Sequence, residues 1–514
     1  MTAPAPLARI RRVLASARTP DSGAELLAAL GELATAARTA TSSAALRLLG
    51  EHPRALLELD RAVRADGTRQ VADPGPEQLP TDPAALALAL CDRNGRLRER
   101  AVHEAAGRLT GRSPAFELAA LLVIRTGDWA APVRRAARAA LALALDEHPA
   151  ELLPVVVRTV VLTDRRDRGA FAHRQTAATL AHLPVTPQLD RVVPALLTAP
   201  DLRVRRFALQ ARLSGPQRLP LSTLTDLAER DHDGRLRSIA AEAAVREALW
   251  TNRPDLLRRL TTSRHAEVRA LALTALVRSG RPDEAAERLT DPSGQVRALA
   301  RDAVRRAGGD ALAHYREAVR ADEPSPGAIA GLTETGHRAD TALLLPLLSH
   351  PRPRVRAAAV RGLRGLGPVP AETLLPLLRD PSPKVVRETA GTLRSRAAHL
   401  PSDLAADLLA EHDRPAVRRA GYLLLHEPDP VAHLARVLRL TTDPDPRLAS
   451  WAATSAAHRA RALFTSGRHT LRPANPEERA ALVPLAESAA SALPPATRQL
   501  LRAALDPTAG EPVG

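Results

Sequence analysis

The stretch Leu347–Val360, LLSHPRPRVRAAAV, returns about thirty residues later as LLRDPSPKVVRETA (377–390), and it occurs earlier as RLTDPSGQVRALAR (288–301). The shared frame is a Leu-rich helix end, a Pro-containing turn, a Val, usually an Arg, and a second helix packed through Ala. A unit this small cannot bury both of its apolar faces, so neighbouring copies must stack. That requirement fixes the architecture before composition is considered.

Each copy can be registered on the apolar residue that opens its second helix: Leu97, Val133, Val204, Leu236, Val268, Val296, Val355, Val385, Val417 and Leu448. Four residues on stand Ala101, Ala137, Ala208, Ala240, Ala272, Ala300, Ala359, Gly421 and Ala452, small enough to let two helices approach closely. Further apolar or small residues follow seven and eight positions on, as in Ala243–Ala244 and Ala303–Val304. This spacing is one buried face of an α-helix. The first helix supplies facing leucines, as in LLPLL at 344–348 and 374–378. Two wide gaps in the register each hide a degenerate copy. One lies around Phe171–Leu183; in the other, GAIAGLTETG (327–336) matches AAVRGLRGLG (358–367), with Pro324 in place of the opening Val. The expectation is about twelve helical-hairpin repeats over 83–464.

The flanks lack the frame. Residues 1–66 read as a helical cap, with Ser22 and Glu25 in a capping-box pattern before Leu26, Leu27, Leu30 and Leu33. Residues 67–82, rich in Pro, Gly and Asp, read as a linker. Residues 465–505 read as a C-terminal cap, opening on a loop (466–478) and continuing in helices near 477–492 and 495–504. Residues 506–514 read as a disordered tail.

The core has to be built from Ala, Leu and Val, because 45% of residues are hydrophobic but only 2% aromatic. Cys91 stands alone, which excludes a disulfide framework and a thiolate metal cluster. No apolar run reaches the roughly 20 residues a bilayer span needs, and no signal-type run follows Arg9, Arg11 and Arg12. A cytoplasmic protein is expected.

The frame of Leu-rich helix, D-P-x-x-x-V-R-x-x-A and second helix resembles HEAT repeats. The short period is most similar to the HEAT-like repeats of the phycobilisome-lyase type. Asp291, Asp380 and Asp443 hold the turn position. Departures are His350, His412 and Ser263 in place of that Asp, and Val386 and Ala449 in place of the Arg. The resemblance implies an all-α, right-handed α-α superhelix (a HEAT/armadillo-like solenoid). It also implies a scaffold or adaptor that binds a protein or peptide along the concave surface. Some relatives of this type are bilin lyases, and DNA-alkylation-repeat glycosylases share a related fold. No residue pattern here carries over an enzymatic site, a cofactor site or a metal site.

The formal charge is +16, nearly all of it Arg. An Arg-, Ala- and Pro-rich composition is also what a GC-rich coding sequence produces; the other reading is an anionic partner. Arg98, Arg134, Arg205, Arg237, Arg269, Arg297, Arg356 and Arg418 follow the opening residue. A cation there is opposed by the helix dipole, so something must hold it. The expected device is a structural ladder in which each Arg bonds an Asp of its own or the adjacent turn. A second set, Arg135, Arg138, Arg206, Arg301, Arg305, Arg361, Arg364, Arg387 and Arg419, stands as the candidate partner-binding face, with loop arginines at 165–168 and 203–206 beside it. Backbone binding of nucleic acid through that face is the second reading, although base stacking would want more aromatic residues. An enzyme is third. His232–Asp233 and His412–Asp413 lie in inter-helix turns and read as turn chemistry, and no metal-ligand spacing is present. Trp129, Trp250 and Trp451 are expected to pack at helix ends, with Trp129 the one open to a partner.

Overall fold

Each second helix buries the face that its spacing predicts. In Pro353–Leu366, Val355, Ala359, Gly362 and Leu363 are buried. In Gly234–Trp250 the same positions are Leu236, Ala240, Ala243 and Ala244. The computed structural model describes residues 5–16, 22–36, 39–66, 80–111, 114–164, 168–184, 186, 190–216, 218–466 and 470–506. Within these the fold is all-α, and twelve helical hairpins follow one another in chain order. Starts are set by local chemistry. The Asp233 carboxylate accepts the Leu236 N–H, Asp201 accepts from Arg203, and Asp445 accepts from Arg447. Pro at the first turn, as in Pro353 and Pro383, gives up an N–H that has no helical partner there.

The first helices depart from expectation where proline interrupts them. The LLPLL segments are not continuous α-helix: Thr341–Leu344 passes into a 3₁₀ turn at Pro346–Ser349, and Ala371–Leu374 into one at Leu375–Arg379. Pro346 and Pro376 lack the N–H that an α ladder would use, and the tighter winding carries the leucines on.

Residues Met1–Ala275 form one compact unit and Leu276–Gly514 another. The repeat frame runs through this division without a mark, because it falls inside the helix Ala266–Arg278. In the first unit, four helices precede the repeats: Ala5–Ala15, Ser22–Thr35, Thr39–Glu51 and Pro53–Ala65. Ser22 is itself the first helical residue of its helix, and it is buried. Ser22–Thr35 and Thr39–Glu51 pack on Pro83–Cys91, the first helix of the first hairpin. Asp82 caps that helix and accepts the Ser42 hydroxyl at 2.9 and 3.0 Å, tying the two regions together. Most of the 67–82 segment lies outside the described residues.

In the second unit the last hairpin, Pro430–Arg439 and Pro446–Phe464, shares a core with Pro476–Ser488 and Pro495–Leu505. Leu434, Leu438, Phe464, Leu482 and Leu501 meet there. The segment expected as loop from 466 contains part of a small antiparallel pair, Thr465–Ser466 with Thr470–Leu471. The expected tail lies outside the described residues beyond Asp506.

Candidate functional site: an arginine ladder and an exposed arginine face

Arg356 shows how a cation is kept at the start of a helix. Its Nη1 turns back and donates to the carbonyls of His350 and Pro351 in the preceding turn, at 2.8 and 3.1 Å. Its Nε and Nη2 reach forward to both oxygens of Asp380 in the next repeat, each at 2.7 Å. The carbonyls supply negative dipole ends where the helix supplies a positive one, and the fork matches a carboxylate. Arg98 does the same with Asp92, Arg93 and Asp128; Arg237 bonds the Asp231 and His232 carbonyls and brings both Nε and Nη2 to one oxygen of Glu267. Arg297 matches Arg356, with Asp291, Pro292 and Glu334 as its partners. Arg134 and Arg269 make the backward bonds, to Asp128 and Trp129 and to Ser263. Arg205 pairs forward with Asp231 and Arg418 with Asp443.

The turn carboxylate has two tasks. Besides the incoming arginine it accepts the N–H two residues on. Asp128 accepts from Ala130, Asp231 from Asp233, Asp380 from Ser382 and Asp443 from Asp445, at 2.7–2.9 Å. This is an Asx turn, which presents the carboxylate to the repeat before it. Two of the sequence departures keep the local half of the role: His350 Nδ1 accepts the Arg352 N–H at 3.1 Å, and Ser263 Oγ accepts that of His265 at 3.3 Å. Burial pushes the Asp380 carboxyl up, but the Arg356 hydrogen bonds, the Ser382 N–H and the nearby arginine charges outweigh it and hold it below the ordinary aspartate range.

Two residues from the candidate partner-binding set share this geometry. Arg206 Nε donates to Asp233 at 2.9 Å, and Arg419 holds Asp445 through Nε and Nη2 at 2.6 and 2.8 Å. The doublets Arg205–Arg206 and Arg418–Arg419 thus meet the D-x-D turns 231–233 and 443–445. The turn role of His232–Asp233 rests on this pairing and on the helix cap that Asp233 makes.

A buried ion cluster in the first unit extends the Arg98–Asp128 rung with residues from outside the repeat frame. Asp128 accepts from Arg98, from Arg125 at 3.0 Å and from Arg64 at 3.3 Å, and Arg125 also pairs with Asp60. The side chains of Arg98 and Asp128 are both fully buried. Cys91 lies beside this cluster; burial first, then the Asp60 charge, push its thiol up to about 12. The helix Pro53–Ala65 carries Asp60 and Arg64, which pair with each other and with Arg125 and Asp128 far along the sequence, so no repeat periodicity marks them.

The remaining candidates divide by exposure. Arg138 lies over the Phe171 ring, 5.0 Å from its centroid, and donates to the Thr126 carbonyl. Arg301 shares Glu334 with Arg297, and the exposed Arg305 pairs with Asp302 on its own helix. Arg135 is exposed. Arg361, Arg364 and Arg387 come together on one carboxylate. Arg361 holds Glu388 through Nη2 at 2.6 Å, while Arg364 and Arg387 stand 4.0 and 3.9 Å from it. These three arginines are 45–68% exposed, and the glutamate they surround is nearly buried. Burial pushes Glu388 up, and the Arg361 hydrogen bonds with the three cations overcome this and hold it low. One carboxylate answering three guanidinium groups leaves a local excess of positive charge on two successive second helices. Of the loop arginines at 165–168, Arg165 and Arg166 lie outside the described residues, and Arg168 is exposed.

Trp129 and Trp250 do not pack inside. They are 64% and 75% exposed, each with an arginine over its ring, Arg98 and Arg218 respectively. Among the described residues no group of three or more His, Cys, Asp or Glu is placed to hold a metal ion, and no helix is long and apolar enough to cross a membrane.

Comparison with known proteins places part of this architecture. A family described as HEAT repeats matches residues 326–394, the segment that carries the sharpest copies of the frame. That match is to HEAT repeats in general; the finer likeness to the phycobilisome-lyase type is not part of it. No curated protein matches the chain. Among solved structures the chain is similar to importin beta in an ammonium sulfate condition, at 13% identity over 98% of this chain and 72% of that one, with a TM-score of 0.33. It is also similar to a chain of a Kap95:Nup1 complex, at 12% identity over 98% and 66%, TM-score 0.33. An engineered protein matches at 18% identity over 82% and 97%, TM-score 0.16.

Proposed function

We propose that this HEAT-repeat chain is a non-enzymatic interaction scaffold that binds an acidic segment of a protein partner. The second-helix face around Arg361, Arg364 and Arg387 would take that segment. The observation that carries this reading is the three-to-one ratio of guanidinium to carboxylate there. Six of the ladder arginines, Arg98, Arg205, Arg237, Arg297, Arg356 and Arg418, have their charge answered by a carboxylate within the fold, so they leave little for a ligand. Arg364 and Arg387 approach Glu388 only at the edge of ion-pair range and keep most of their donors toward solvent. Guanidinium forks match carboxylates, and a fixed row of them presents a peptide with a register as well as a charge.

The test uses the full chain and a fluorescently labelled oligoglutamate peptide. R364A/R387A removes two exposed cations while leaving the Arg361–Glu388 pair in place. Binding by the parent chain, weakened about tenfold in the double variant with an unchanged melting temperature, supports the reading. Equal binding by parent and variant sinks it. The second reading, contact with a nucleic-acid backbone, draws on the same charge excess. It prevails if duplex DNA binds more tightly than the peptide near physiological salt, with a log–log salt slope worth several phosphates.

A further inference from the structure

The first unit contains a gap that the ladder does not explain. The first helix of one repeat, Val192–Leu197, has six residues, whereas that of the next, Leu221–Arg230, has ten. At 1.5 Å per residue the shorter helix falls about 6 Å short of its neighbour. A cavity of about 830 Å³ lies between them. That is within the roughly 300–1,000 Å³ range of small-molecule sites. Leu183, Val193, Leu197, Leu219 and Leu227 give it an apolar wall.

The helix Leu202–Ser214 sets two arginines on the cavity, Arg205 and Arg212, which lie seven residues apart and so on one helix face. Arg205 is neutralised by Asp231. Arg212 has no such answer. It is 94% buried, at 6% exposure. Its Nη1 donates to the carbonyls of Leu180, Ala181 and Leu183 at 3.1, 3.4 and 3.3 Å, and its Nε has no hydrogen-bond partner. The other charges at the wall are accounted for or open to water: Arg218 pairs with Glu247, Arg230 with Asp226, and Asp190 is exposed. One guanidinium is therefore buried without a carboxylate, an arrangement that is costly unless something answers the charge. Burial alone pushes Arg212 down from the ordinary arginine range, with no anion to oppose it.

We propose that this cavity binds a small amphiphile bearing one carboxylate, its aliphatic body against the leucines and its head on Arg212. A single negative charge balances the one uncompensated cation, whereas a phosphate dianion would over-balance it. The site shares no residue with the exposed arginine face, so it stands or falls apart from the scaffold reading.

Calorimetric titration of the full chain with decanoate, decanol and acetate tests it. One decanoate per chain is expected, with decanol and acetate at least about tenfold weaker, because each lacks one half of what the site offers. R212Q should lower decanoate affinity about tenfold while leaving decanol binding unchanged. Arg212 also holds three carbonyls, so V193W, which fills the cavity from a half-buried position, decides the matter should R212Q fail to fold. Loss of decanoate binding in V193W supports the site. Absence of decanoate binding by the parent chain, equal binding of decanol, or undiminished binding by V193W overturns it.

Discussion

Asp128 is the residue on which the buried ion cluster of the first unit depends. It accepts from Arg98, Arg125 and Arg64 and from the Ala130 N–H, and two of those arginines have almost no access to water. Removing it leaves buried cations unpaired, so D128A should destabilise the first unit by about 3–5 kcal/mol, read as a shift of its denaturant transition. Cys91 offers a local probe of the same region. Fully buried and with its thiol pushed up to about 12, it should stay unreactive toward a disulfide reagent in the native chain. At about pH 8, where an ordinary thiol reacts, it should label only once denaturant opens the helices around it. Labelling of Cys91 at once in native buffer would contradict its burial. The ladder arginines could be read from the recurring Val-Arg pair, but their backward bonds to turn carbonyls could not, since these depend on how the turn curls. Asp60, Arg64 and Arg125 were illegible for a plainer reason: the pairs that join them into one cluster, Arg64–Asp128 and Arg125–Asp60, lie more than sixty residues apart and share no period.

At the scale of a helix pair, the rung and the close approach can be separated by mutation. R356A leaves the nearly buried Asp380 without its partner and two turn carbonyls without a donor, at a cost of about 3 kcal/mol. R356K keeps the charge but loses the fork, and should cost roughly half as much; a lysine variant as stable as the parent would argue against the bidentate rung. The small positions are equally specific. A Cβ on Gly421 would stand 2.8 Å from the Ala405 carbonyl and 2.9 Å from Leu408 Cβ, too close for either to give way cheaply. G421A should therefore lower the melting temperature, by an overpacking cost of about 1–3 kcal/mol. The sequence marked this position correctly as small, because it lies four residues after the opening Val417. It did not mark the broken first helices. LLPLL reads as helix by its leucines, and only the backbone at Pro346 and Pro376 reveals the change to 3₁₀ winding.

Across the whole chain, stability should follow the turn carboxylates. Asp128, Asp233, Asp380 and Asp445 are all held below the ordinary aspartate range, as is Glu334 below that of glutamate. For Asp233 and Asp445 the arginine hydrogen bonds are the leading cause; for the others burial opposes the shift and the arginines outweigh it. A depressed folded pKa adds stability above the unfolded value, and that stability is lost as pH falls through the folded one. The melting temperature should be level above about pH 5 and fall steadily below about pH 4. A chain with 73 basic and 57 acidic residues also repels itself more strongly as its acids protonate, in the same direction. A melting temperature unchanged down to pH 2.5, roughly a unit and a half below the ordinary carboxylate pKa, would refute the ladder as a source of stability. The number of hairpins was legible at this scale because ten copies carry the frame and its regular spacing exposes the two gaps that hide the degenerate ones. The division after Ala275 was not, because the frame continues through it from Val268 to Val296.

The ladder also has a direction: wherever a rung forms, the arginine belongs to one repeat and the carboxylate to the one that follows. A copy removed whole, from one Asx turn to the next, lets the chain close over the loss only where the preceding arginine then meets a carboxylate of the same kind. A cut placed inside a copy strands a cation on one side and an anion on the other. The doublets add an ordering rule, since Arg205–Arg206 and Arg418–Arg419 each require a successor with two turn aspartates, whereas Arg356 requires one. Duplication and loss of units in the gene are thereby confined to in-phase exchanges between compatible neighbours, and shortened forms of the protein made for experiment inherit the same punctuation.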